Sequence, residues 1–237
     1  MGKIVGMTQS SYIPWKGFFD YINSVDAFYF YDDAQFTKQD WRSRNRIKSP
    51  KAEGWEWLTV PVGKKTRNRR ICDVEITQND WQKSHWGKIR QYYKDAPYFQ
   101  EYKAFFEEIY MGHTWTNLSE MNQTITKRIA VELLDIPASK FAGDSRDYHL
   151  DDTKKKEDRY IPMLKEVGCT TYISGPSAKS YLTEERMAKE GIELKWMNYE
   201  GYPEYEQLYP PFRHDVTVLD LLFHVGKEYK RYMLSYS

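Results

Sequence analysis

Between residues 4 and 33 an apolar run, a turn, an amphipathic stretch and a second apolar run follow one another, and few folds accept that succession. Ile4, Val5 and Met7 read as a buried first strand. The chain then turns through Ser10, Ser11, Tyr12, Ile13 and Pro14. It enters a predicted helix whose Phe18, Tyr21, Ile22 and Val25 recur at helical spacing. Ala27 to Tyr31 is a second apolar strand, and it stops on Asp32 and Asp33. Gln35, Lys38, Trp41, Arg42, Arg44, Asn45, Arg46 and Lys48 follow. Strand, helix, strand and then a cluster of carboxylates and guanidinium groups is the layout of an α/β domain with a site beside its strand ends.

The rest of the chain extends that rhythm. Trp57 to Val62 predicts a strand, and Ile71 to Ile76, which alternates apolar and polar, predicts another. Together they read as a hairpin whose tip, 63–70, carries Lys64, Lys65, Arg67, Arg69 and Arg70. The tip is either a solvated turn or a site for an anionic partner: a phosphate, a pyrophosphate or the acidic face of a carrier protein. Residues 79 to 135 are expected to be mostly helical. Asn79 would cap a helix to about Asp95, Pro97 would break the chain before a second helix, and a third begins near Asn117 and Leu118. A helix stopped at Gly168, a strand at Thr170 to Ile173, a helix around Glu184 to Glu190 and a strand at Ile192 to Trp196 come next. An ordered loop (Tyr199 to Phe212) and an apolar helix (Val216 to Val225) close the chain. The expected fold is α/β: one domain over 1–237 with a mostly parallel, three-layer, Rossmann-like sheet and a helical layer or insertion at about 79–135.

Composition narrows the function classes. Hydrophobic residues at 41% and charged residues at 29% belong to a folded chain, and a net charge of +1 argues against bulk electrostatic binding of nucleic acid. No apolar stretch approaches the roughly 20 residues of a spanning helix. The run after Lys3 is broken by Thr8, Gln9 and Ser10 and does not read as a signal peptide. Cys72 and Cys169 form neither a C-x-x-C nor a zinc pattern, and the histidines have no metal-like spacing, so a cytoplasmic protein without a metal is expected. Twenty tyrosines beside 11 Phe and 8 Trp offer many walls for sugars or bases, although most are expected in the core.

Three constellations could carry chemistry. Asp32 and Asp33 stand at a strand end and point opposite ways, so one is expected to face a cleft as a base, a hydroxyl ligand or a metal ligand. The alternative is a structural carboxylate satisfied by Arg44 or Arg46. The run Arg42-Ser43-Arg44-Asn45-Arg46 offers forked donors suited to phosphate or carboxylate, and the presence of Trp41 and Asn45 sets it apart from a solvated charge run. Ser174-Gly175-Pro176-Ser177 presents backbone N–H groups at another strand end, without the lysine-serine pair of a P-loop.

The whole chain resembles the WbqC-like proteins of bacterial surface-polysaccharide (O-antigen) gene clusters. Gln9, Tyr12, Pro14, Trp15, Gly17 and Phe19 match the family's opening motif, while Thr8 and Ser10 depart from its usual His and Pro. Asp32, Asp33, Gln35, Trp41 and the run Arg44-Asn45-Arg46-Ile47 match the next. Further matches are Trp57 to Val62, Tyr172-Ile173-Ser174-Gly175, Tyr181-Leu182, Tyr205 with Gln207, and the closing Leu219-Asp220-Leu221-Leu222-Phe223 with Gly226. The resemblance implies a place in polysaccharide assembly, with a nucleotide-linked amino sugar as partner and an acyl or aminoacyl group arriving from a carrier-protein or coenzyme A thioester. Asp32 or Asp33 would then bind or deprotonate the amine. Arg44 and Arg46 would hold phosphate. Gln9, Tyr12, Trp15, Gln35, Lys38, Trp41, Asn45, Tyr205 and Gln207 would shape the substrate pocket, with Ser174 and Gly175 donating hydrogen bonds. Lys64, Lys65, Arg67, Arg69 and Arg70 would dock an acidic carrier. Two other readings stay open: a binding protein of the same pathway without turnover, and a nucleotidyltransferase-like enzyme, whose paired phosphate-binding histidines are absent here.

Overall fold

The first two apolar runs lie side by side as parallel strands. In the computed structural model, which describes residues 2–236 other than Lys65, Arg67, Asn79 and Lys155, β1 (Lys3–Thr8) and β2 (Ala27–Phe30) pair in register from Val5 with Ala27 to Thr8 with Phe30. A parallel pair needs a crossover, and α1 (Lys16–Asn23) supplies it. Because side chains alternate along a strand, Val5, Met7, Ala27 and Tyr29 enter one core and Phe28 and Phe30 the other.

Three more parallel strands complete the sheet: β5 (Phe141–Asp144) beside β2, β6 (Cys169–Ser174) beside β1, and β7 (Glu193–Trp196) beyond β6. The order β5-β2-β1-β6-β7 is, in chain order within the sheet, the doubly wound 3-2-1-4-5, with its reversal between β1 and β6. Tyr21 spans that reversal. Its hydroxyl accepts from the Met7 amide at 2.8 Å and donates to the Ile173 carbonyl at 2.5 Å. Gly6 leaves room for the ring, since a Cβ there would meet it at 2.9 Å.

Helices cover both faces. α5 (Ile161–Glu166) and α6 (Glu184–Ala188) pack on one. On the other, α2 (Trp81–Tyr93), α3 (Phe99–Met111) and α4 (Leu118–Arg128) share a core with α1 and with α7 (Val218–Val225). Asn117 caps α4 by accepting from the Glu120 amide at 2.9 Å. The fold is thus α/β with a parallel, Rossmann-like central sheet, as the pattern predicts.

The expected hairpin between Trp57–Val62 and Ile71–Ile76 is not there. The partner of β4 (Trp55–Thr59) is β3 (Arg44–Lys48), the stretch read from sequence as a charge run, and the two form a separate antiparallel ribbon. Ile71–Asp73 is a 3-10 turn instead of a strand. Its amides are used elsewhere: Ile71 donates to the Ala34 carbonyl at 2.9 Å and Cys72 to that of Asp32 at 3.0 Å. A single bridge, Val62 to Ile76, is what remains of the expected ladder. The basic segment is therefore no hairpin tip, and its Lys65 and Arg67, like the Asn79 cap, lie outside the described residues.

Candidate functional site

At the reversal of strand order, where open α/β sheets place their ligands, the chain leaves a crevice of about 410 Å³. Thr8 and Ser11 after β1, and Gly175, Pro176 and Ser177 after β6, form two sides. Pro14, Trp15, Phe18 and Tyr21 come from the turn into α1 and from α1 itself, Trp41, Arg42 and Asn45 from the approach to β3 and its first residues, and Tyr199 and Asp215 from later loops. The turn is held hard. Ile13 sits at φ +36, a costly conformation for a β-branched residue. The Asn45 side-chain amide keeps it there by donating to the carbonyls of Tyr12 at 3.1 Å and Ile13 at 2.8 Å. Such strain gathers where a structure over-determines a site. Trp15 folds back on α1, and a Cβ on Gly17 would lie 2.3 Å from its indole. The same indole meets Tyr199 edge-on at 5.2 Å.

The electrostatics come from the neighbouring ribbon. Period two places Arg44 and Arg46 on one face of β3, beside Trp55 and Trp57 of β4, with Arg46 directly opposite Trp57 and Arg44 opposite Thr59. The Arg44 guanidinium lies 4.1 Å from the Trp57 ring centre. That of Arg46 lies 4.6 Å from Trp57, 4.7 Å from Trp55 and 5.2 Å from Trp41. Arg213 adds a third guanidinium, 5.3 Å over Trp55. Asp215 is shared: it pairs with Arg46 and, at 2.7 Å, with Arg213. The Arg44 guanidinium has no hydrogen bond or ion pair among the described residues. Arg42 is largely buried, donates to the Gln9 side-chain carbonyl and lies 3.5 Å from Asp40. Burial lowers its pKa while Asp40 and Asp32 oppose the shift. A guanidinium keeps its charge even so.

Of the residues singled out in the sequence, Trp15, Trp41, Asn45 and Gly175 line the crevice. Gln9 reaches it through Arg42, and Arg44 and Arg46 flank it on the ribbon. Several do not come to it. Asp32 is fully buried and accepts from the Ser10 amide at 2.8 Å, from Gln123 at 3.0 Å and from the Ser119 hydroxyl, so it braces the turn. Asp33 does point the other way, but toward a second cavity, and its cation is Arg70 at 3.4 Å, neither Arg44 nor Arg46. Tyr12 is a core residue whose hydroxyl meets Tyr110 at 2.5 Å and His85 at 2.9 Å. Tyr205 and Gln207 donate to buried Asp220 at 2.7 and 2.8 Å, fastening the late loop to α7. Lys38 and Gln35 are exposed, contacting the Lys64 carbonyl and Asn68. Ser174 is buried at the end of β6. Arg69 and Lys64 are exposed, and Arg70 is drawn to Asp73 at 2.8 Å.

Sequence reasoning gave no site role of their own to Ser11, Tyr199 or Asp215, and read Arg42 and Ser177 only as members of longer anion-binding runs. Arg42 and Ser177 sit inside motifs already noticed, but Asp215 and Tyr199 arrive by tertiary contact and leave no local signal. Among the described residues no cluster of three or more His, Cys, Asp or Glu could hold a metal ion. No helix among them is long and apolar enough to cross a membrane.

Comparison with known proteins agrees with the motifs. The model of the WbqC-like protein family matches residues 9–232. An uncharacterized protein of Mycobacterium tuberculosis (strain ATCC 25618 / H37Rv), Rv1507c, is 40% identical over 232 residues, covering 98% of this chain and 97% of its own. No solved structure matches the chain.

Proposed function

The chain belongs to the WbqC-like protein family, and from that premise we propose a transferase of surface-polysaccharide assembly that moves an acyl or aminoacyl group onto an amino sugar carried on a nucleotide. Arg44 carries the reading. A guanidinium clamped on an indole, beside a crevice and without an anion of its own, is a donor fork prepared for phosphate. Arg42 in the crevice wall and the shared Arg46 and Arg213 add positive charge that Asp215 and Asp40 do not balance. Trp15, Trp41 and Tyr199 offer flat walls for a sugar or base. The turn into α1 brings the positive end of that helix to the same place, with no side-chain cap on it.

Acyl transfer forms a bond from the sugar nitrogen to the thioester carbonyl carbon and breaks the carbon–sulfur bond, and the proton leaving the amine goes to a base. Asp32 and Asp33 lie away from the crevice, so that role passes to Asp215, the carboxylate among its lining residues. The engagement of Asp215 by two guanidiniums favours a second reading. Both of its oxygens already accept from those guanidiniums and not from a substrate amine, which suits a protein of the same pathway that binds the nucleotide sugar without turnover. Incubating the protein with a nucleotide-linked amino sugar and an acyl thioester, with mass spectrometry of the sugar, separates the two. N-acylated product supports the transferase. Saturable binding without product supports the binding protein, and failure to bind any nucleotide sugar contradicts both.

A further inference from the structure

A second cavity, about 330 Å³, opens on the same edge of the sheet beyond the ends of β2 and β5. It lies at the lower end of the ~300–1,000 Å³ range of ligand pockets. Its walls are Asp33, Arg70, Arg146, His149, Asp152 and Arg159, with Leu150 as the apolar contribution. We propose that this cavity binds a small zwitterion of the α-amino acid class, with the ammonium on Asp33 and the carboxylate on the arginines.

Asp33 carries the first half. It is 6% exposed, yet its side-chain contacts are long: Ser145 donates at 3.3 Å and Arg70 at 3.4 Å. An ionised carboxylate has about four acceptor sites, so a buried one held this loosely has room for an ammonium. Burial raises its pKa, and Arg159 and Arg70 oppose that shift. The arginines carry the second half. Arg159 is fixed, donating to the Tyr31 hydroxyl at 2.8 Å and to Asp152 at 2.6 Å, and holding part of its fork free. Arg70 and Arg146 are about half exposed, and each is held by a nearby carboxylate through two nitrogens, Arg70 by Asp73 at 2.8 and 3.3 Å and Arg146 by Asp144 at 2.9 and 3.0 Å. The Arg146 Nη1 keeps its N–H groups for a carboxylate entering the cavity, while the Arg70 Nη1 is on Asp33 at 3.4 Å. His149, in the left-handed region at φ +46, stands exposed at the rim. Carboxylates and guanidiniums in near balance suit a ligand of both charges better than a phosphate, which Asp33 and Asp152 would repel.

This assignment stands apart from the crevice. The test is calorimetric titration of the common amino acids, their deaminated carboxylic acids and inorganic phosphate into the full chain. At least one amino acid should bind while its deaminated counterpart and phosphate bind at least tenfold more weakly. Asp33→Asn and Arg146→Ala should each weaken the amino acid at least tenfold and leave nucleotide-sugar binding unchanged. If Asp33→Asn loses its circular dichroism, Arg146→Ala, half exposed, decides. Binding by no amino acid, equal binding of the deaminated acid or of phosphate, or affinity indifferent to Arg146→Ala would overturn the proposal.

Discussion

Arg44 and Arg46 stand two positions apart on one strand face, yet Arg46 holds a carboxylate and Arg44 holds none among the described residues. Buried Asp220 shows the opposite case. It accepts from Tyr93 at 2.9 Å, Tyr205 at 2.7 Å and Gln207 at 2.8 Å. Asp220→Ala would strand three donors at ~1–3 kcal/mol each. Denaturant unfolding should show a loss of about 3 kcal/mol or more, while the crevice keeps its residues. His85 gives a pH signature. Burial, then the nearby Lys88, lowers its pKa to about 4. Below its unfolded value near 6.5 the unfolded chain takes up a proton that the folded chain refuses until about pH 4. Stability should therefore fall as pH drops through that window, by roughly 3 kcal/mol in all. His85→Gln should flatten this part of the stability–pH curve; an unchanged slope would show that His85 is not its source.

At the scale of elements, the turn from β1 into α1 is the piece that shapes the crevice, and two substitutions separate its shape from its stability. Gly17→Ala would drive a methyl group into the Trp15 indole. Nucleotide-sugar binding should weaken at least tenfold while far-UV circular dichroism stays helical. Asn45→Ala releases the Tyr12 and Ile13 carbonyls. It should cost about 1–3 kcal/mol in unfolding experiments. The opening strand-helix-strand unit was legible because its apolar runs and its helical period are long. The β3 strand was not read as a strand. Arg44, Arg46 and Lys48 alternate with Asn45 and Ile47, but the polar face is so strongly charged that it reads as an anion-binding run and not as a strand until its tryptophan partners are in place. β5, four residues including Gly143, gives no period to read. Ile71 to Ile76 alternates like a strand, yet its amides were taken by residues 32 and 34.

For the whole molecule, the sheet order fixes where chemistry can sit, and the sequence could only partly show it. Asp32 and Asp33 end a strand, which is where the rule puts a site, but the reversal lies one strand over, between β1 and β6. Strand order is a property of long-range pairing, so the acidic pair looked central when Asp32 in fact braces the turn and Asp33 serves a different cavity. Likewise Tyr205, Gln207 and Asp220 form separate motifs along the chain and one buried network in space. We assign the proposed anion site to the crevice with its tryptophan–arginine ribbon. Calorimetric titration of a nucleotide-linked amino sugar into the unmodified chain, Arg44→Ala and Asp33→Asn tests it most directly. Arg44→Ala should lose affinity at least tenfold and Asp33→Asn should lose none. Unchanged binding in Arg44→Ala, or binding abolished by Asp33→Asn alone, would contradict it.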